Sequence, residues 1–227
     1  MLECIALSRR YGRKEAVSSL NLTLDTGKIH VLLGENGSGK TTFLKMAAGL
    51  LRPSRGQILF QGHPLSWKDR AKISWLSTEP IFYDYMRVSD VEQYYADFFP
   101  DFDQERFSGL VQKLGFGDNP KAKELSSGSG AKLRIAAALS RRAELYLLDE
   151  PMGSIDYKAR EEIISLILET ADETNTFVIS THLLDEVESF ADRALFLKAG
   201  RLIRDVKPEE ERENTGKSIV ELYREIM

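Results

Sequence analysis

The chain has one cysteine, three histidines and no apolar run approaching the ~18–20 residues that a membrane-spanning helix needs. A single thiol, Cys4, excludes a disulfide framework and fits a reducing compartment. The opening stretch "MLECIALSRRYGRKE" lacks the apolar core of a signal peptide. There is no excess of basic charge: 31 Lys and Arg stand against 35 Asp and Glu, interspersed, for a net charge of −4. No basic arm offsets that balance, so nucleic acid is not an expected partner. Internal repeats and low-complexity tracts are also absent. What is present, 42% apolar and 29% charged residues over 227 positions, is the composition of a globular chain. That length holds one large domain or a core with a smaller lobe.

Short apolar runs bounded by turn residues come first: "ECIAL", "LNLTL" and "IHVLL" read as strands, and "QILF" as another. "TTFLKMAAGLL" reads as a helix stopped by "RPSRG". The texture then changes, because ten of the 21 aromatic residues fall between Phe82 and Phe116, in helical segments such as "VSDVEQYYADFF". A helical lobe over roughly 83–140 is expected, inserted into an α/β core. The core resumes as "LYLL", "KAREEIISLILETADE", "TFVIST", "LLDEVESF" and "RALFLKAG", alternately strand and helix. That alternation predicts a parallel sheet covered on both faces. In the tail, about 214–227, Ile219, Leu222, Tyr223 and Ile226 recur at helical spacing, one apolar face suited to packing on the parent domain.

"GENGSGKT", Gly34–Thr41, fits G-x-x-x-x-G-K-[ST] between a strand and a helix, the context that pattern requires. Gly34, Gly37 and Gly39 leave backbone N–H groups free to face a phosphate chain, and the helix N-terminus adds partial positive charge. Lys40 has the reach for the β- and γ-phosphates, and the Thr41 hydroxyl is a candidate Mg²⁺ ligand. "LYLLDEP" ends a strand in two carboxylates: Asp149 as a further Mg²⁺ ligand, Glu150 as the group that orients water or accepts its proton. "TFVISTH" ends a third strand in His182; His30, inside a strand, and His63, in a turn, read as structural. Ligands of parallel sheets sit beyond the carboxyl ends of strands, so one crevice is expected to collect all three ends. "LSSGSGAKLR", by itself, reads as a flexible stretch leading into a helix capped by Ser126 or Ser129.

With these residues in place the chain resembles the ATPase subunit of an ABC transporter, over nearly its whole length. The resemblance implies a P-loop core with a mixed, largely parallel sheet, an N-terminal antiparallel β subdomain and an inserted α-helical subdomain. Gly34, Glu35, Asn36, Gly37, Ser38, Gly39, Lys40, Thr41 and Thr42 match the phosphate-binding motif, and Tyr146–Glu150 the strand that carries the catalytic glutamate. Tyr11 matches the aromatic that stacks on adenine, Ser126 and Gly128 the signature motif, "GSID" with Asp156 the D-loop, and His182 the switch histidine. In that family the signature faces the γ-phosphate held by a second subunit, so two ATP molecules lie between head-to-tail partners. The resemblance thus implies ATP and Mg²⁺, a second ATPase subunit, integral membrane subunits and a place at the cytoplasmic face of the membrane. Two features depart from the pattern. Ser127 and Ser129 replace glycine and glutamine, and Thr78 in "ISWLSTEP" replaces a glutamine that contacts Mg²⁺ and relays to the membrane subunit.

"YYADFFPDFD", "YLLDEPMGSID" and "GKSIVELYREIM" resemble, more narrowly, a bacterial exporter branch that handles peptides, antibiotics or other amphipathic cargo. Its aromatic lobe would dock a short helix of the membrane subunit, or form the lobe's own small core. Two other readings are a regulatory, partly degenerate ATP-binding subunit beside an active partner, and a non-transport ABC ATPase. Glu150 and His182 weigh against the first of these. The absence of a coiled-coil insertion and of a second tandem ATPase domain weighs against the other.

Overall fold

Apolar residues on the central strands are buried to both sides, and that sets the layering. The computed structural model describes residues 1–227 except Pro80, Ser154 and the side chain of Val187. In chain order come β1 (Leu2–Tyr11), β2 (Lys14–Leu24), β3 (Ile29–Leu33), α1 (Lys40–Ala47), β4 (Arg55–Phe60), β5 (His63–Pro64) and β6 (Ile73–Leu76). The helices α2 (Val88–Phe98), α3 (Gln104–Lys113) and α4 (Ser127–Leu139) follow. The chain then runs through β7 (Leu145–Asp149), α5 (Tyr157–Thr170), β8 (Thr176–Thr181), α6 (Leu184–Val187), β9 (Arg193–Lys198) and β10 (Arg201–Val206) to α7 (Pro208–Thr215) and α8 (Ile219–Ile226).

One sheet is antiparallel, in the order β2-β1-β4-β5; the other runs β10-β9-β3-β8-β7-β6 and is parallel except for its β10–β9 edge. Side chains on a strand alternate between faces, and here the two faces feed two different cores. Val31, Tyr146, Leu148, Phe177 and Ile179 point to the core shared with α4, α5 and α8. Leu32, Leu145, Leu147 and Val178 point to the core shared with α1 and the antiparallel sheet. A strand buried on both sides carries no polar alternation, which is why "IHVLL" and "LYLL" read as unbroken apolar runs.

The helices α2, α3 and α4 enclose a third, aromatic core: Tyr95, Phe107 and Phe116 are buried, with Phe82, Phe99 and Phe102 packed against them. Tyr83, Tyr85, Tyr94 and Phe98 remain exposed. The aromatics therefore divide, one set forming the lobe's small core and the other lying at the surface. α8 lays Ile219 and Leu222 into the main core, with Tyr223 and Ile226 alongside. The helix expected over "LLDEVESF" is a correction: α6 is only Leu184–Val187, and the Glu188 carboxylate just beyond it accepts a hydrogen bond from Ile219 N–H at 2.5 Å, so a tertiary contact takes over where the helix stops. Among the described residues no helix is long and apolar enough to cross a membrane.

One side chain joins the aromatic helices to the sheet. Arg141, just beyond α4, is 3% exposed and donates to the carbonyls of Ile73 (2.8 Å) and Ala71 (2.7 Å). It also pairs with Asp101 at 2.9 Å and stacks its guanidinium 4.2 Å from the Phe99 ring centre. Each of its three nitrogens donates, as a planar fork permits and an ammonium does not. Arg141→Met leaves two carbonyls, that of Ile73 buried, and a carboxylate without their donor. It should lower the unfolding free energy by about 3 kcal/mol in urea denaturation, with Arg141→Lys recovering only part. Cys4 offers a second check: burial, and then the charge of Glu3, push its thiol up to about 12. It should resist a thiol reagent at pH 8 in the native protein and react once the chain is unfolded.

Candidate functional site

Four neighbouring parallel strands, β3-β8-β7-β6, end at one edge of the sheet. Beyond them lie respectively the glycine-rich loop, His182, Glu150 and Thr78. Strand order alone thus brings together residues separated by more than a hundred positions. All but His182 line a cleft of about 340 Å³, together with Tyr11, Lys14, Ala16, Glu35, Asn36, Gly37, Gly39, Lys40, Thr41 and Thr42; His182 reaches it through Glu150.

Gly39 caps α1 with φ 111°, and a Cβ there would sit 2.4 Å from the Ala16 carbonyl, so only glycine fits. At Gly37, φ is 83° and the space where a Cβ would stand is open. Lys40, in the first turn of α1, is 6% exposed; its ammonium donates to the carbonyls of Gly34 (2.6 Å) and Glu35 (3.3 Å) and lies 3.5 Å from Glu150 Oε1. The loop wraps its own cation. Tyr11, at the end of β1, is 47% exposed, with the Arg9 guanidinium 4.9 Å from its ring centre. Gly34 and Ser38 lie in the loop behind the cleft wall; the Ser38 hydroxyl is buried without a hydrogen-bond partner.

At the end of β7 the two carboxylates separate. Asp149 is 1% exposed, and its Oδ1 accepts from the Ser180 hydroxyl at 2.6 Å while Oδ2 is buried with no partner. Glu150 has left-handed backbone, φ 47°, which turns its side chain out of the strand and into the cleft. That conformation is held by its N–H, which donates to the Ser180 carbonyl (3.1 Å) and the Ser180 hydroxyl (3.0 Å). Glu150 Oε2 accepts from His182 Nδ1 at 2.8 Å. Of the six buried side-chain polar atoms without a partner among the described residues, three belong to Ser38, Asp149 and Glu150. Orphaned buried polar atoms are rare, and their concentration here suits the cleft to a polar ligand.

Ser126 and Gly128 are not brought to this cleft. Ser126 caps α4, its Oγ accepting from Ser129 N–H at 3.1 Å, so of the two candidate caps it is the one used. Ser127 follows in the first turn, outside the positive-φ region, and its side chain is accommodated. Asp156 caps α5 through Ala159 N–H at 3.0 Å; Ser154 of "GSID" lies outside the described residues. Thr78 lines the cleft. Sequence reading missed Ser180, Lys14 and Ala16. For Ser180 the signal was a serine inside the apolar run "TFVIST", where a buried hydroxyl needs a partner. The partner is its neighbour across the sheet, since Asp149 and Ser180 are in register.

The architecture and cleft are those of a P-loop α/β protein. The sequence model of the ABC transporter family matches residues 17–153, and the chain belongs to that family as an ATP-binding subunit. It is 31% identical over 205 residues, 89% of each chain, to the lantibiotic transport ATP-binding protein SrtF of Streptococcus pyogenes. It is 30% identical over 208 residues to the ABC transporter ATP-binding protein YtrB of Bacillus subtilis (strain 168), covering 89% of this chain and 70% of that one. Among solved structures, the ATP-binding subunit of an ABC transporter superposes with a TM-score of 0.88 at 24% identity, covering 99% of this chain and 98% of that one. A dimeric post-hydrolysis state of the cassette MJ0796, bound to ADP and Pi, gives 0.80 at 23% identity, covering 91% and 98%. Both show the same fold.

The Ser180 hydroxyl serves Asp149 and the strained Glu150 together. Ser180→Ala should therefore cost about 1–3 kcal/mol of unfolding free energy, read from urea denaturation. A cost below ~0.5 kcal/mol, the usual range of a surface change, would mean that neither bond depends on it.

Proposed function

We propose that this chain binds ATP with Mg²⁺ in the cleft and hydrolyses it as the motor subunit of an exporter, paired head-to-tail with a second such subunit. The observation that carries this reading is the convergence of Lys40 and His182 on Glu150 at the cleft, with Glu150 3.5 Å from the Lys40 ammonium and 2.8 Å from the His182 ring. The loop from Gly34 to Thr42 cradles the phosphates through backbone N–H groups, Lys40 exchanging its carbonyl partners for β- and γ-phosphate oxygens. Tyr11 presents an exposed ring for the adenine.

Asp149 Oδ2, buried and without a partner, and the Thr41 hydroxyl are hard oxygen donors suited to Mg²⁺, with Thr78 placed to act through a water. Among the described residues no three His, Cys, Asp or Glu side chains gather as a metal cage. That suits an ion held by one carboxylate, hydroxyl groups and the substrate's own phosphates. When bound, Mg²⁺ neutralises charge on the β- and γ-phosphates. Glu150 accepts a proton from a water as the water oxygen bonds to the γ-phosphorus and the bond to ADP breaks, leaving ADP and phosphate. His182, donating to Glu150 through Nδ1, keeps that carboxylate turned toward the reacting water.

The reading extends to the partners. Ser126 and Gly128 lie away from their own cleft, at the positive end of α4, and are suited to the γ-phosphate of a second subunit. The exposed set Tyr83, Tyr85, Tyr94 and Phe98 suits a short amphipathic helix of a membrane subunit, and on this reading the chain works at the cytoplasmic face of the membrane. Likeness to a lantibiotic transport protein favours amphipathic peptides or antibiotics as cargo.

Complementation tests the arrangement. Lys40→Ala and Ser126→Arg should each be inactive alone. When the two are mixed and exchanged, the hybrid dimers combine both lesions in one site and leave the other intact, so about a quarter of all sites are whole. ATPase activity should return on mixing. A verified hybrid that binds ATP, closes and stays inactive would overturn the action in trans.

A further inference from the structure

Arg134, on α4 two turns beyond Ser126, is the one basic residue of that helix whose contacts are neutral among the described residues. Lys132 meets Glu162 at 2.5 Å; Arg134 instead donates through one nitrogen to the carbonyls of Ser77 and Thr78, both at 3.2 Å. Burial pulls its pKa below that of a free guanidinium, with no carboxylate to offset the loss of solvent. The half-buried guanidinium has just two backbone carbonyls as protein partners among the described residues, and those belong to the segment that forms the cleft wall at Thr78. Thr78 is short and exposed, so its position in the cleft is set by its backbone rather than by side-chain packing.

The other contacts between α4 and β6 sharpen the point. Ser74 Oγ donates to the Ala138 carbonyl at 2.9 Å, and Arg141 holds the Ile73 carbonyl at 2.8 Å. These two grip the strand itself, deep in the fold. Arg134 grips the loop beyond the strand, where β6 has ended and the chain enters the cleft. From Arg134 to Ser126 the helix spans about 12 Å, a stiff lever of eight residues.

We propose that Arg134 is a positioning residue that couples the two nucleotide sites: it ties the Thr78 segment, at the chain's own nucleotide, to the Ser126 end of α4, at the second subunit's nucleotide. The proposal rests on the head-to-tail reading above. A shift of the Thr78 backbone on nucleotide binding pulls on the guanidinium, and the helix carries the displacement to Ser126 and Gly128. With threonine in place of the longer family side chain, this backbone contact gives the segment a link to α4 that does not depend on the reach of residue 78.

The test compares the full-length wild type with Arg134→Met and Arg134→Lys. Affinity for a fluorescent ATP analogue is measured on the monomer, and kcat, KM and the Hill coefficient for ATP on the dimer. For Arg134→Met the expected result is a monomer affinity within about twofold of wild type, kcat lower by about tenfold and a Hill coefficient falling toward 1. Arg134→Lys, which keeps a donor for one carbonyl, should recover part of both kcat and cooperativity. Unchanged kcat and Hill coefficient in Arg134→Met would overturn the proposal. So would an affinity loss matching the kcat loss, or a lowered melting temperature that Arg134→Lys shares without recovering activity, since both are signs of a merely structural role. ATP-induced dimerisation, followed by sedimentation, separates this from the parent reading. A wild type that dimerises without turnover overturns hydrolysis alone, and the proposal then stands or falls on whether Arg134→Met weakens that dimerisation. A wild type that never dimerises with ATP overturns the head-to-tail reading and this proposal with it.

Discussion

The cleft depends on the insertion of β8 between β3 and β7. Pairing Leu33 with Thr181 and Asp149 with Ser180 aligns the ends of three strands to within a residue. It also places one buried hydroxyl where it can donate to Asp149 and accept from the Glu150 N–H. With the Ser180 carbonyl, that acceptor holds the left-handed backbone of Glu150, since a non-glycine residue with φ 47° persists only when its surroundings hold it. The strain has a geometric result. Consecutive residues on a regular strand point to opposite faces, whereas here Asp149 stays behind the cleft wall and Glu150 turns into it. Two adjacent carboxylates thereby acquire different surroundings, one enclosed and hydrogen-bonded, the other facing the lysine and histidine.

The legible parts of the fold are those in which each residue repeats its neighbour's message. "IHVLL", "LYLL" and "TFVIST" are buried on both faces, so every position is apolar or hydroxyl-bearing and the run stands out. β10 is the opposite case. It is an edge strand with most of Arg201–Val206 exposed, and "RLIRDV" carries no pattern that separates it from a loop. β6 is only four residues long, too short for periodicity to speak. α6 was overread because "LLDEVESF" has good helix formers throughout, and local propensity does not register the contact made by Glu188 with α8.

At the site the division is similar. Lys40, Asp149, Glu150 and His182 were readable because each ends or follows an apolar strand, directly or, for Lys40, across the glycine-rich loop, where chemistry follows from topology. Ser180, Arg134 and Arg141 were not, because each draws its meaning from a partner that sequence does not name. Ser180 looks like an ordinary strand residue until β7 lies beside it. Arg134 and Arg141 look like the solvated charges of any helix and its cap, yet they reach backbone carbonyls 56 to 70 positions away. A carbonyl acceptor leaves no trace in composition, since every residue has one.

The glycines that open α4 carry the last step. Elsewhere in the site glycine answers a need within the chain, as at Gly39, where a Cβ would meet the Ala16 carbonyl at 2.4 Å. Gly128 answers none. Its φ is not positive, a Cβ would make only ordinary contacts with Asp156 at 3.4 Å and Ala159 at 3.6 Å, and at Gly130 the space is open. Glycine in a helix interior costs about 0.5–1 kcal/mol relative to alanine, and nothing inside the fold offsets that cost. A bare backbone at a helix N-terminus admits the close approach of something from outside, and Asp156, beside Gly128 on the neighbouring helix, bounds the same surface. On the proposed head-to-tail reading, the polar, side-chain-poor start of α4 serves a second subunit's nucleotide rather than the fold it belongs to.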